Sequence, residues 1–260
     1  MGNRKKTAAQ VADAKARKAL MDAFVLDDLH THRVDRHTFS IYVGGDPHIE
    51  GDDVDGRSIE PGVEHHMADR FDINLNLLSS LNSKRPILVN IASCGGNWDE
   101  GMQMFGAILT CPNPVTVMAT KWARSMTSII PLAADRFVIR PPAQYMFHHG
   151  DYGYEGKAGE EAETAFEELK ATRKMMLDIY VARLKMGEKF SRWSEPRIRE
   201  MLEDKMRRKI DVWLDSDTAV RWGFADAVYE GDPSTLRAKT KNVERRAKMM
   251  SVIRKISTNT

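Results

Sequence analysis

The chain has 260 residues, 42% of them hydrophobic, which is enough for one large domain with a sizeable core or for a domain with extensions. A net charge of +2 gives no bulk electrostatic reason to bind nucleic acid or an anionic membrane. Two cysteines, Cys94 and Cys111, are too few for a disulfide scaffold and fit a reducing compartment, and no apolar run reaches the roughly 20 residues that span a bilayer.

At the start of the chain, Arg4-Lys5-Lys6 precedes a stretch interrupted by Asp13, Lys15, Arg17 and Lys18, unlike the apolar centre of a signal peptide. The first six residues also lack the Ser or Thr of a myristoylation signal. A soluble, cytoplasmic protein is expected. Residues 7–29 predict a charged, alanine-rich, peripheral helix. Phe39-Ser40-Ile41-Tyr42-Val43 alternates as a strand and ends at Gly44-Gly45, and Asp46 to Gly62, rich in Gly, Asp and Pro, predicts a loop. Residues 64–82 return to helical spacing, with Met67, Phe71, Leu75 and Leu78 on one face. Ile87-Leu88-Val89-Asn90-Ile91 is a short strand of the kind buried on both faces.

Trp98 to Leu109 predicts a helix with Met102, Phe105, Ala107 and Ile108 inward, and Val115 to Ala119 a second buried strand. Ser125 to Ala134 predicts a helix, Arg136 to Ile139 a third strand and Gln144 to His148 a fourth. A long polar helix is expected over 159–185 and a shorter one over Glu195 to Asp204. Ser216 to Gly223 predicts a capped helix closed by glycine, and Phe224 to Tyr229 a last short strand. Residues 234–260 show little apolar periodicity and predict a helical or mobile tail. Strands alternating with helices through the middle predict an α/β fold with a mostly parallel sheet and right-handed crossovers.

Several residues at element ends could carry chemistry, each with an ordinary structural alternative. Gly95 and Gly96 either form a tolerant strand-to-helix turn or free backbone N–H groups to bind an oxyanion or phosphate. No Gly-Lys-Ser/Thr follows, which disfavours a phosphate loop. Ser125 is either a helix cap or a nucleophile, and Cys94, beside the glycines, is a second nucleophile to weigh. His148 and His149 are neighbours on a strand, so they face opposite sides and cannot readily share a metal ion. Asp211, between Arg207-Arg208-Lys209 and Val212-Trp213-Leu214, is either a turn residue or an orienting acid. Serine, base, acid and oxyanion donors together are what acyl transfer requires.

The ensemble closely resembles the Clp protease proteolytic subunit (ClpP) family of serine peptidases. The family's Ser-Pro-Gly-Gly reads Ser93-Cys94-Gly95-Gly96, and its Ala-Ala-Ser-Met-Gly-Ala reads Ala123-Arg124-Ser125-Met126-Thr127-Ser128. Its Met-Ile-His-Gln reads Met146-Phe147-His148-His149, and its acid motif aligns without a gap from Asp211 to Asp226. The resemblance covers residues 38–230, with an N-terminal extension over 1–37 and a basic tail over 231–260. It implies ClpP/crotonase-like stacked ββα units with a projecting helix, for which 159–185 is the candidate. It also implies Ser125 as nucleophile, His148 as base by register with Met146 rather than His149, Asp211 as orienting acid, and the Gly96 and Met126 N–H groups as oxyanion hole. No cofactor or metal is implied. Polypeptide substrates, seven-membered rings stacked face to face as a tetradecamer and a ring-shaped ATP-driven (AAA+) unfoldase are the implied partners. The sequence departs from the pattern at Cys94, Arg124 and Thr127. The alternatives are a crotonase-fold acyl-coenzyme A enzyme, a serine–lysine peptidase using Lys121, and an inactive ring subunit.

Overall fold

The apolar runs of the middle third have no inside-outside alternation because they are covered on both faces. In the computed structural model, which describes residues 8–45, 62–153, 155–156 and 159–254, they form the centre of an eight-stranded sheet. Helix α1 (Ala8–His30) leads into strands β1 (Val34–Asp35) and β2 (Ser40–Gly45), then α2 (His65–Leu81), β3 (Ile87–Ser93), α3 (Trp98–Thr110) and β4 (Val115–Arg124). A short helix α4 (Met126–Ile129) passes into a 3-10 turn at Pro131 and on to β5 (Arg136–Ile139) and β6 (Gln144–Phe147). Helices α5 (Glu160–Lys185) and α6 (Glu195–Lys209), β7 (Val212–Leu214), α7 (Ser216–Trp222), β8 (Ala227–Val228) and α8 (Val243–Arg254) follow in order. The loop expected over 46–62 lies, apart from Gly62, outside the described residues.

Strands β2, β3, β4 and β5 are parallel neighbours, β1 adds antiparallel at one edge and β8 parallel at the other. The fold is therefore mixed α/β with a mostly parallel sheet. Ile87, Val89, Ile91, Val115, Val117 and Ala119 are fully buried at its centre, as continuous apolar strands require. α2 buries Met67, Phe71, Leu75 and Leu78, and Glu64 caps it by accepting from the His66 and Met67 N–H groups. α3 buries Phe105 and Ile108 as expected, but Met104 and Leu109 go deeper than Met102 and Ala107, so its inward face is rotated.

Several boundaries differ from sequence expectation: β4 runs beyond Ala119 to Arg124, and the helix expected over Ser125 to Ala134 is only Met126–Ile129 followed by a 3-10 turn. α6 continues to Lys209, because Ile198, Leu202 and Met206 keep the helical spacing and are buried. Val212–Leu214 is a strand, and the strand expected over 224–229 contracts to two residues. The cap of α7 is Asp215, which accepts from the Thr218 N–H, while Gly223 closes the helix with φ 96.

Strand β4 changes partner along its length, and this positions the site. Thr116–Ala119 pair with β5, whereas Trp122–Arg124 pair with β6. The register Arg124↔Met146 sets β6 beside the end of β4, and the antiparallel register Phe147↔Val212 sets β7 against β6. The residues just beyond these pairs are Ser125, His148 and Asp211. Among the described residues, no helix is long and apolar enough to cross a membrane.

Candidate active site

Ser125 joins β4 to α4 with φ 51 and ψ −125, a backbone state that side-chain-bearing residues rarely adopt. Its surroundings hold it there. The Ser125 N–H donates to the Met146 carbonyl at 3.0 Å, and its own carbonyl accepts from the Ser128 N–H at 2.8 Å and the Ser128 hydroxyl at 2.6 Å. With that proton committed, Ser128 Oγ receives the Tyr180 hydroxyl at 2.7 Å, while the Tyr145 hydroxyl donates to the Ser128 carbonyl at 2.8 Å. Burial pushes both phenols well above their ordinary range, so they act as neutral donors.

The glycine pair is required by close approach. A Cβ on Gly95 would lie 2.5 Å from the Ser125 Cβ and 2.9 Å from the Met126 nitrogen, and one on Gly96 would lie 2.2 Å from the Val63 carbonyl oxygen. Both have positive φ, 104° and 150°. Val63 bridges this segment in parallel through Val63 N–H to Gly95 O (2.7 Å) and Asn97 N–H to Val63 O (2.9 Å). That pattern leaves the Gly96 N–H outside the ladder. Met126 is the first residue of α4, so no carbonyl of its own helix can receive its N–H. Thr127, fully buried, ties the two segments together, its hydroxyl lying 2.7 Å from the Ser93 carbonyl and 3.0 Å from the Arg124 N–H.

His148 Nε2 lies 2.7 Å from Ser125 Oγ, and His148 Nδ1 lies 3.2 Å from Asp211 Oδ1. The imidazole is 15% exposed and the carboxylate 42%, so the ring is sheltered while the carboxylate meets water on one side. The other nucleophile and base candidates have different neighbours. Cys94 Sγ is 3.9 Å from the Gly95 carbonyl, and Lys121 Nζ sits 3.7 Å from the centroid of the Trp122 ring. Burial, with Arg173 and His148 adding to it and Glu203 opposing, pushes the His149 imidazole below its ordinary range and so favours its neutral form. A cavity of about 490 Å³ opens beside Ser125, with an apolar floor of Met126, Ile129, Met176 and Tyr180. Among the described residues, no group of three or more His, Cys, Asp or Glu side chains is arranged to hold a metal ion.

The model of the Clp protease family matches residues 57–232, more than half of the chain. The chain belongs to the Clp protease family. It is 29% identical over 187 residues to ATP-dependent Clp protease proteolytic subunit 1 of Chlamydia abortus, covering 69% of this chain and 90% of that protein. It is 30% identical over 163 residues to proteolytic subunit 2 of Borreliella burgdorferi, covering 62% and 75%. Among solved structures, a point mutant of ClpP1 from Listeria monocytogenes shares the fold with a TM-score of 0.57 and 22% identity, over 78% of this chain and 96% of that one.

Within this Clp protease family member, the two unusual residues beside Ser125 have definite places. Thr127 points into the core as described, and Arg124 lies along the outer face of β4 with its guanidinium carbon 4.4 Å from the centroids of both Trp122 and Trp213. Neither lines the cavity. Sequence reading passed over the supporting set of Ser128, Tyr145 and Tyr180. Ser128 stands in the quoted nucleophile motif, but the tyrosines carry no local signal, since 52 residues separate Ser128 from Tyr180.

Proposed function

We propose that the chain is a serine endopeptidase, with Ser125 as nucleophile, His148 as general base and acid, Asp211 as orienting carboxylate, and the Gly96 and Met126 N–H groups as oxyanion hole. The observation that carries this is the continuous contact from Ser125 Oγ to His148 Nε2 at 2.7 Å and from His148 Nδ1 to Asp211 at 3.2 Å. His148 takes the serine proton as the oxygen attacks the scissile carbonyl, and the new oxyanion develops against the two amides. The imidazolium then protonates the leaving amine and later activates water on the acyl-enzyme. Asp211 holds the imidazole in the tautomer that presents a bare Nε2 to the hydroxyl. The cavity beside Ser125 receives the residue preceding the cleaved bond.

The wider proposal is that the peptidase domain spans 38–230 and assembles into stacked seven-membered rings, fed with polypeptide by an AAA+ unfoldase. α5 supports this, since it buries only its C-terminal half from Met176 onward and leaves its acidic first turns exposed. Two cysteines without a disulfide between them fit a cytoplasmic setting. An inactive ring subunit is disfavoured because Arg124 and Thr127 leave the cavity open, and a crotonase-type thioester enzyme leaves the serine–histidine contact without a use. Labelling by a serine-directed fluorophosphonate tests the assignment. Ser125→Ala and His148→Ala should each abolish it, with a loss of turnover on the order of a millionfold, whereas His149→Ala should retain labelling. Full labelling of the Ser125→Ala protein would remove Ser125 from the role.

A further inference from the structure

Three strands meet on the outer face of the sheet beside the site, and the register makes Arg124, Met146 and Trp213 one cross-strand row. Side chains two apart share a sheet face, so Trp122 and Gln144 lie on this face as well. The Arg124 guanidinium carbon is 4.4 Å from each indole centroid, and its Nη2 donates to Gln144 Oε1 at 3.0 Å. Among the described residues it has no carboxylate partner, although it is half-buried. The strand it reaches is held from the inner face by Val212 and Leu214, which are buried in the core, while Trp213 between them faces outward. β7 has only three residues, pairs on one side only with β6, and follows Ile210 at φ 59. Asp211 sits in that joint, half-exposed, two residues before Trp213.

We propose that Arg124 is a positioning residue: stacked between Trp122 on the nucleophile strand and Trp213 on the acid strand, it fixes β7 and so holds Asp211 against His148. A planar cation is suited to this because it offers both faces to aromatic rings while its edge donates hydrogen bonds. Lysine offers the charge without the plane. The clamp rests on the assignment of Ser125, His148 and Asp211 made above, and it gives Arg124 a use where the family pattern has a small residue.

The test combines kinetics on a fluorogenic peptide, the rate of fluorophosphonate labelling at Ser125, and amide hydrogen exchange across Val212–Leu214. Arg124→Met, which keeps the apolar stem, should lower kcat about tenfold with KM within about twofold, since small displacements of a catalytic group act on the chemical step. Arg124→Lys should recover part of the loss, and the β7 amides should exchange faster in Arg124→Met than in the unaltered protein. In an Asp211→Ala background, Arg124→Met should cost nothing further. Trp213→Leu, which removes the opposite ring, should reproduce the exchange result if Arg124→Met folds poorly. Unchanged kcat, or the same loss with Asp211 already removed, would overturn the clamp while leaving Ser125 as nucleophile. If the unaltered protein is not labelled at Ser125, the peptidase assignment fails instead. Exchange then decides the clamp alone, equal β7 rates in the two proteins overturning it and faster rates in Arg124→Met supporting it.

Discussion

At the scale of single residues, the site depends on backbone states that only particular side chains tolerate. Ser125 is held at positive φ by bonds to Met146, Ser128 and, through Ser128, Tyr180. Strain of this kind costs about 1–3 kcal/mol and persists only where the surroundings over-determine it. Gly95 is the most exposed point of that arrangement to substitution. Gly95→Ala should keep the helical content, because the change lies at an element boundary, but should lower kcat/KM at least about 100-fold. The added methyl would meet the Ser125 Cβ at 2.5 Å and push Ser125 from its place. Circular dichroism with fluorogenic peptide kinetics checks both halves, and near-normal turnover would show that the loop yields without moving Ser125.

At the scale of elements, α8 takes the helical form within the stretch expected to be a helical or mobile tail. Its sequence shows little apolar periodicity, and beside the fully buried Met249 it packs through charge. Arg246 makes a two-point contact with Asp135, whose side chain is wholly buried, and also donates to the carbonyls of Cys111 and Asn113. Asp135 in turn accepts from the Val115 and Asn242 N–H groups. Each charge is thus paired and hydrogen-bonded, the condition under which a buried ion pair is tolerated. Removing one partner leaves the other charge buried and uncompensated, at about 3–5 kcal/mol. Arg246→Met should therefore lower Tm by roughly 10 °C in a chain of this size. A shift of only a degree or two in differential scanning calorimetry would mean that the helix is a peripheral attachment.

For the whole molecule, acid sensitivity follows from buried charge. Burial works against the Asp226 charge, yet Arg183 and Arg245, with the Phe137 N–H, outweigh it and hold the carboxyl well below the ordinary aspartate range. The unfolded chain therefore takes up this proton first as the pH falls. The contribution of Asp226 is complete above the ordinary aspartate pKa of about 4 and is lost below it, toward the depressed folded value. Asp226→Asn should lower Tm at neutral pH and flatten its decline between about pH 4 and pH 2. A parallel decline in both proteins would place the acid sensitivity elsewhere. The exposed first half of α5, including Phe166 at 54% exposure, fits a contact between subunits. Light scattering under active conditions should show a multi-subunit particle, and a clean active monomer would dispose of the stacked rings proposed above.

Apolar runs without alternation and helical spacing in 64–82 made the mostly parallel α/β sheet legible in the chain itself, whereas the candidate residues stood out through the resemblance of their motifs to the Clp protease family. These are local signals: burial on both faces, period and glycine at a tight turn each leave a mark within a few residues. What joins distant segments left no such mark. The change of partner along β4, the use of Val212–Leu214 as a strand opposite β6, the tyrosines beneath Ser128, the aromatic sandwich around Arg124 and the docking of α8 by arginine all depend on residues tens of positions apart. Only packing decides which of many polar side chains meet, because a hydroxyl or guanidinium has the same local preferences whether it ends in water or in a buried network.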